Sequence, residues 1–174
     1  MRRRDCLGFL VAAAAWPFAA YSQQRSLGLF ENARREYKKI SRPSEADRAN
    51  YITRLVRLRE KAASGKSGDW QVIDQEISRH PAPVDADSKK FSALMVGKWK
   101  SPRHEYLYRA DGTWTMLPEQ EGTTHGTWRI EGNRYYSIAS IEPADTGPYT
   151  IVLITEKDLV FSEGSDVFYE TRLK

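Results

Sequence analysis

Residues 104–139, HEYLYRADGTWTMLPEQEGTTHGTWRIEGNRYYSIA, decide the fold. Trp114 and Met116, Trp128 and Ile130, and Tyr136 and Ile138 stand on alternate positions, with Thr115, Arg129 and Ser137 between them. A period of two puts one set of side chains on each face of a strand, so one face is dry and the other wet, the pattern of an antiparallel sheet covered on one side. Asp111-Gly112 and Gly132-Asn133 are hairpin signals between these runs. The same rhythm extends outward over 98–101, 104–109, 113–117, 126–131, 134–140, 148–155, 159–162 and 167–173, with polar turns at Glu156-Lys157-Asp158 and Glu163-Gly164-Ser165-Asp166. Eight antiparallel strands in sequence leave two raw edges unless the first pairs with the last. Closure removes both, so the expected unit is an up-and-down barrel.

Ahead of the strands the period is helical. Phe30, Ala33, Tyr37 and Ile40 share one face of a helix of about four turns, stopped at Ser41-Arg42-Pro43. Ser44 opens a second helix with Asp47 three residues on, a capping-box spacing, and Tyr51, Leu55, Leu58 and Ala62 form its stripe, widened by Ile52 and Val56. Ser64 to Gly68 break that helix, and Asp69 is placed to cap a third, carrying Trp70, Ile73 and Ile77 to His80-Pro81. Such short helices must bury their stripes on one another, on the strand half or on a partner. The organisation expected is a helical segment over 23–81, a linker over 82–89 and a barrel over 90–174 that opens on a short helix, Phe91 to Val96. The class is α+β, short helices followed by an eight-stranded antiparallel barrel.

A short helix followed by Gly97-Lys98-Trp99 at the start of an eight-strand meander resembles the lipocalin pattern. The runs YLYRADGTW and GTWRIEGN look more like the compact bacterial lipocalin-like domains than the long secreted ones. The resemblance covers residues 88–174. It implies that Trp99 closes one end of the barrel, that Arg172 packs across it, and that Gly97, Trp99 and Arg172 are structural.

Residues 1–22 have the layout of a cleavable secretory signal: Arg2, Arg3 and Arg4, an apolar run of 14 residues from Leu7 to Ala20, then small residues before a cleavage point at Gln23. The run is short of the roughly 20 apolar residues of a spanning helix. Arg3-Arg4-Asp5-Cys6-Leu7 also resembles a twin-arginine export signal. A periplasmic or secreted protein is expected, with no membrane anchor after processing. The chain has 27 Lys and Arg against 23 Asp and Glu, a net charge of +4. The leader carries three Arg and one Asp, so 24 basic and 22 acidic residues remain, and a net +2 is no nucleic-acid footprint. Cys6, the single cysteine, lies in the leader, which excludes an internal disulfide and cysteine-based metal sites.

Motifs for catalysis are missing. There is no Gly-x-Ser-x-Gly, no glycine-rich phosphate loop and no dinucleotide fingerprint. A metal site would need His104, His125 and a carboxylate such as Glu105 or Glu121 to converge, and the Glu119/Glu121 pair sits in a polar loop. The chain reads as non-enzymatic and without a cofactor. Its lead is the aromatic set Tyr106, Tyr108, Trp114, Trp128, Tyr136, Tyr149 and Phe161. These rings either fill a small barrel as its core or line a pocket for a small apolar or amphipathic molecule. The first expectation is a binding protein. The alternative is a solid barrel serving as scaffold while the amphipathic helices, with Arg34, Arg35, Lys38, Lys39, Arg54, Arg57, Arg59 and Lys61, meet a protein partner of the cell envelope.

Overall fold

A computed structural model describes residues 16–64, 70–118, 123–140 and 147–174. Four helices, α1 (Trp16–Lys38), α2 (Glu45–Ser64), α3 (Trp70–Ser78) and α4 (Ser88–Met95), precede eight strands. These are β1 (Gly97–Lys100), β2 (Glu105–Tyr108), β3 (Thr113–Leu117), β4 (His125–Glu131), β5 (Arg134–Ala139), β6 (Tyr149–Ile154), β7 (Asp158–Glu163) and β8 (Asp166–Arg172). Each strand pairs antiparallel with the next, and β8 returns to β1 through Trp99↔Arg172 and Lys100↔Thr171, so the barrel is closed. Residues 1–15 of the expected leader, the Gly65–Asp69 break and the Glu119/Glu121 loop lie outside the described residues.

Local chemistry sets the helix ends. At the start of α2 the Ser44 amide donates to Asp47 Oδ2 at 2.9 Å and the Asp47 amide donates to Ser44 Oγ at 3.1 Å, a reciprocal capping box. The stripe of α1 is shorter than its spacing predicts: Phe30 and Ala33 are buried, whereas Ile40 lies past the helix end and is exposed. Asp87 caps α4 by accepting from the Lys89 and Lys90 amides at 2.9 and 3.2 Å, so the first turn of α4 falls inside the stretch read as linker. That stretch is tied down. The Ala82 amide donates to the Ile151 carbonyl at 2.9 Å, Asn133 Nδ2 donates to the Ala82 carbonyl at 2.7 Å, and the Gly132 amide donates to Ser88 Oγ at 2.7 Å.

Two cores result. One lies between the helices and the outer face of β6–β8: Phe30 and Ala33 of α1, Ile52, Leu55 and Val56 of α2, Ile73 and Ile77 of α3, and Val152, Leu153, Val160 and Val167 from the sheet. The stripes of α1–α3 are therefore buried on one another and on the barrel wall. Strands β6 and β7 are apolar on both faces for this reason, as in YTIVLI and DLVF. A register shift between Ile151 and Leu153 adjusts β6, so that Val152 and Leu153 face the helices while Ile151 and Ile154 face inward. Arg48 of α2 clamps the two halves by donating to the His80 carbonyl at 2.8 Å and the Val152 carbonyl at 2.6 Å. The second core is inside the barrel and is mostly aromatic.

Candidate functional site

One end of the barrel is shut. Trp99, fully buried, donates from Nε1 to the Met95 carbonyl at 2.7 Å. The Arg172 guanidinium lies 4.4 Å from the Trp99 ring and donates to the Val96 carbonyl at 2.7 Å and to the Leu94 carbonyl. Together they join α4, β1 and β8. Gly97, at φ 140°, is needed here: a Cβ would stand 2.3 Å from Arg172 Nη1. This is the arrangement that Gly-x-Trp and a late arginine imply.

Away from that plug the interior is hollow. A half-open cavity of about 660 Å³ is lined inside the barrel by Tyr106, Tyr108, Trp114, Tyr135, Ser137, Ala139, Tyr149, Phe161, Phe168 and Glu170, and continues past β8 to Val167 and Tyr169, to Arg59 of α2 and to Ser101–His104. The opening follows from strand length. β1 ends at Lys100 and meets β8 only at Arg172 and Thr171, so residues 166–170 of β8 face the turn between β1 and β2 without pairing to it. The volume lies within the roughly 300–1,000 Å³ of small-molecule sites.

Ring-on-ring contacts build the walls. Tyr106 meets Trp114 edge-on at 5.9 Å, Tyr108 meets Trp128 at 6.2 Å, Tyr149 meets Phe161 at 5.2 Å, and Phe161 stacks on Phe168 at 5.3 Å. These offsets hold the rings against one another along the sheet. Of the seven rings expected there, Tyr106, Tyr108, Trp114, Tyr149 and Phe161 line the cavity. Trp128 is in the same core but outside the lining, with Nε1 donating to the Thr113 carbonyl at 3.0 Å. Tyr136 is on the wrong face. The tight Gly132-Asn133 turn pairs Glu131 with Arg134, and hence Ile130 with Tyr135, Arg129 with Tyr136 and Trp128 with Ser137. Tyr135 and Ser137 therefore point inward, while Tyr136 lies under the Arg129 guanidinium at 4.0 Å and Ile138 is exposed. The dry face of β5 is offset by one residue from the expected one, and a one-residue shift exchanges every side chain. Two-residue hairpin geometry carried that signal already.

Deep in the cavity stands Glu170, 5% exposed. Tyr108 Oη donates to its Oε1 at 3.3 Å, and Tyr135 Oη lies 3.5 Å from Tyr108 Oη. Oε2 is buried with no hydrogen-bond partner. Burial pushes the carboxyl up to about 8, and the Tyr108 hydrogen bond only partly opposes it. Burial, with the neighbouring Tyr135 and Glu170, also raises the Tyr108 hydroxyl far above its usual range. Sequence reasoning missed Glu170, although Phe168, Glu170 and Arg172 share one face of a strand by period, and placing Arg172 against Trp99 places Glu170 inside.

The histidines are on separate elements. His104 is exposed at the cavity lip, edge-on to Tyr106 at 6.3 Å, and His125 is exposed with Nδ1 3.3 Å from the Thr123 carbonyl. His80 lies edge-on to both Tyr37 and Tyr51, which stack on each other at 4.2 Å, and is 3.4 Å from Glu76. Among the described residues no group of three His, Cys, Asp or Glu is placed to hold a metal ion, and no helix is long and apolar enough to cross a membrane. A second groove, of about 440 Å³, runs beside α3 and β8, where Arg59 and Asp74 already pair at 3.2 Å. Comparison of the chain with protein-family models, with curated proteins and with solved structures gave no match.

Proposed function

We propose that the chain is an exported, non-enzymatic lipocalin-like protein that carries a small apolar or amphipathic molecule inside the barrel. The observation that carries this reading is the aromatic cavity of about 660 Å³ with a polar group at depth. Apolar surface of a guest leaves water for the ring walls, contributing on the order of 25 cal/mol per Å² before ordering costs. Tyr108, Tyr135 and Glu170 supply the few convergent polar groups that orient a guest in such a site. The plug of Gly97, Trp99 and Arg172 supports the lipocalin-like assignment, and the arginines and apolar run of residues 2–20 support export. The helices support the carrier over the scaffold, because their stripes are spent on the barrel wall and their packing leaves the cavity lip open.

Native mass spectrometry of the protein purified from its own cells, with titration by the neutral dye Nile red, tests this. A retained adduct or saturable one-to-one dye uptake is expected, and Ala139→Trp, which fills the cavity from its lining, is expected to abolish it. A bare protein mass together with no saturable uptake would end the carrier reading.

A further inference from the structure

We propose that the carried molecule bears an amine, whose protonated nitrogen sits against Glu170 while its apolar body lies along the aromatic walls. This deepens the carrier reading and depends on it. The ground is a buried carboxyl with one oxygen unpaired: Glu170 lines the cavity, is about nineteen-twentieths buried, and its Oε2 has no hydrogen-bond partner. A buried polar atom left unpaired is costly, so a site retaining one is built for a partner that arrives with the guest. The other unpartnered polar atom of the described lining, Trp114 Nε1, lies over Gly126, where a Cβ would stand 2.8 Å from it, and so faces the wall.

The surroundings favour a cation over a neutral donor. Tyr106, Tyr108, Tyr135 and Tyr149 line the same cavity as Glu170, and aromatic faces attract cations. No protein cation competes. Among the described residues Glu170 makes no ion pair; Arg172, two residues along the same strand, is committed to the Val96 and Leu94 carbonyls and the Trp99 ring. The titratable groups around the carboxyl are Tyr106 and Tyr108 from β2 and Tyr135 from β5, with Tyr149 from β6 in the same wall, while Arg59, Arg103 and His104 stand at the lip. Lys100 of β1 points away, to Glu105 at 3.1 Å. When the ammonium enters, the Glu170 proton leaves to solvent and the carboxylate takes the N–H bond. Balance requires one proton released per guest bound below the carboxyl's own titration point near 8.

The test compares three probes with one ring body, 2-(1-naphthyl)ethylamine, 2-(1-naphthyl)ethanol and 1-naphthaleneacetate, by calorimetry on the whole chain. The amine is expected to bind about 10- to 100-fold tighter than the alcohol or the acid, the range for a hydrogen bond to a charged group. Its affinity is expected to rise about tenfold or more from pH 6.5 to 8.5, with proton release visible in buffers of different ionisation enthalpy. Glu170→Gln should erase the amine preference, so that amine and alcohol bind the variant with equal affinity. The proton release needs no variant and stands if that one folds poorly. Equal affinity for amine and alcohol, or no pH dependence, overturns the amine assignment while the carrier reading survives. Failure of all three probes and of Nile red overturns both.

Discussion

Strands β6 and β7 have two dry faces, and the cores on either side of them differ in kind. Outside, against α1–α3, the packing is mainly aliphatic: Ile52, Leu55, Ile73, Ile77, Val152 and Val160 are all at most 3% exposed, together with the rings of Phe30 from α1 and Tyr51 from α2. Inside, these strands and β8 present Tyr149, Phe161 and Phe168 beside rings from β2, β3 and β5 and leave a cavity. Branched aliphatic side chains interdigitate and approach crystal-like density. Rings held edge-to-face against their neighbours make a lining instead, because each is fixed by the next along the wall and the space at the centre has no claimant. Hydrophobicity alone therefore separates neither core from the other; the shape of the side chain does.

The sharpest way to break this contrast is a charge on each outer wall. Val160→Asp places a carboxylate in the dry face under the helices, where Val160 is fully buried, and is expected to cost about 4 kcal/mol. Ile138→Asp, on the outer face of β5 where no helix lies and the side chain is 43% exposed, is expected to stay within about 0.5 kcal/mol. Urea denaturation followed by circular dichroism measures both, and equal costs would mean that the helices do not seal β7. Truncating the aliphatic core itself, Leu55→Ala, is expected to cost about 3 kcal/mol.

Next in size is a pH effect confined to the inner core. The Glu170 carboxyl titrates near 8 in the folded chain and near 4.5 when unfolded, so between those values the folded state holds a proton that the unfolded state has lost. Stability contributed by that proton is whole below about 4.5 and drains away as pH rises through 8. Wild type is expected to lose on the order of 2–3 kcal/mol from this group between pH 5 and pH 9, and Glu170→Gln to flatten that slope. Thermal melts across the range decide it. A slope unchanged in the variant would place the titrating group elsewhere.

Much of this was legible in the residues, and the limits are physical. The eight strands show because alternation and turn chemistry are local: Asp111-Gly112 and Gly132-Asn133 punctuate them whatever the rest does. The contact of Arg172 with Trp99 was expected from the resemblance of Gly97-Lys98-Trp99 to a motif and not from periodicity. The face of β5 was misjudged because Tyr135 and Tyr136 are both aromatic, and only the hairpin register decides between them. The docking of the helices was left open among three surfaces, since a stripe records that it must be covered and not by what, although the unbroken apolar run of YTIVLI already marks a strand with two dry faces. The hollow was least visible. Volume depends on how rings lean in three dimensions, and a filled and an empty aromatic barrel have the same periodicity.

The smallest effect tests that hollow directly. Phe168 stacks on Phe161 at 5.3 Å but is 40% exposed and borders the cavity. Replacing a buried ring usually costs about 3–5 kcal/mol, since the neighbours on every side lose contacts and a void opens. At Phe168 the void already exists on one side, so Phe168→Ala enlarges a space rather than creating one and forfeits only the stack and a partial burial. The expected cost is about 1 kcal/mol, well below that of Leu55→Ala, although a ring loses more atoms than a leucine. Truncation should at the same time admit a bulkier dye. If Phe168→Ala instead costs as much as Leu55→Ala, the ring is packed on all sides in solution and the two cores do not differ in kind.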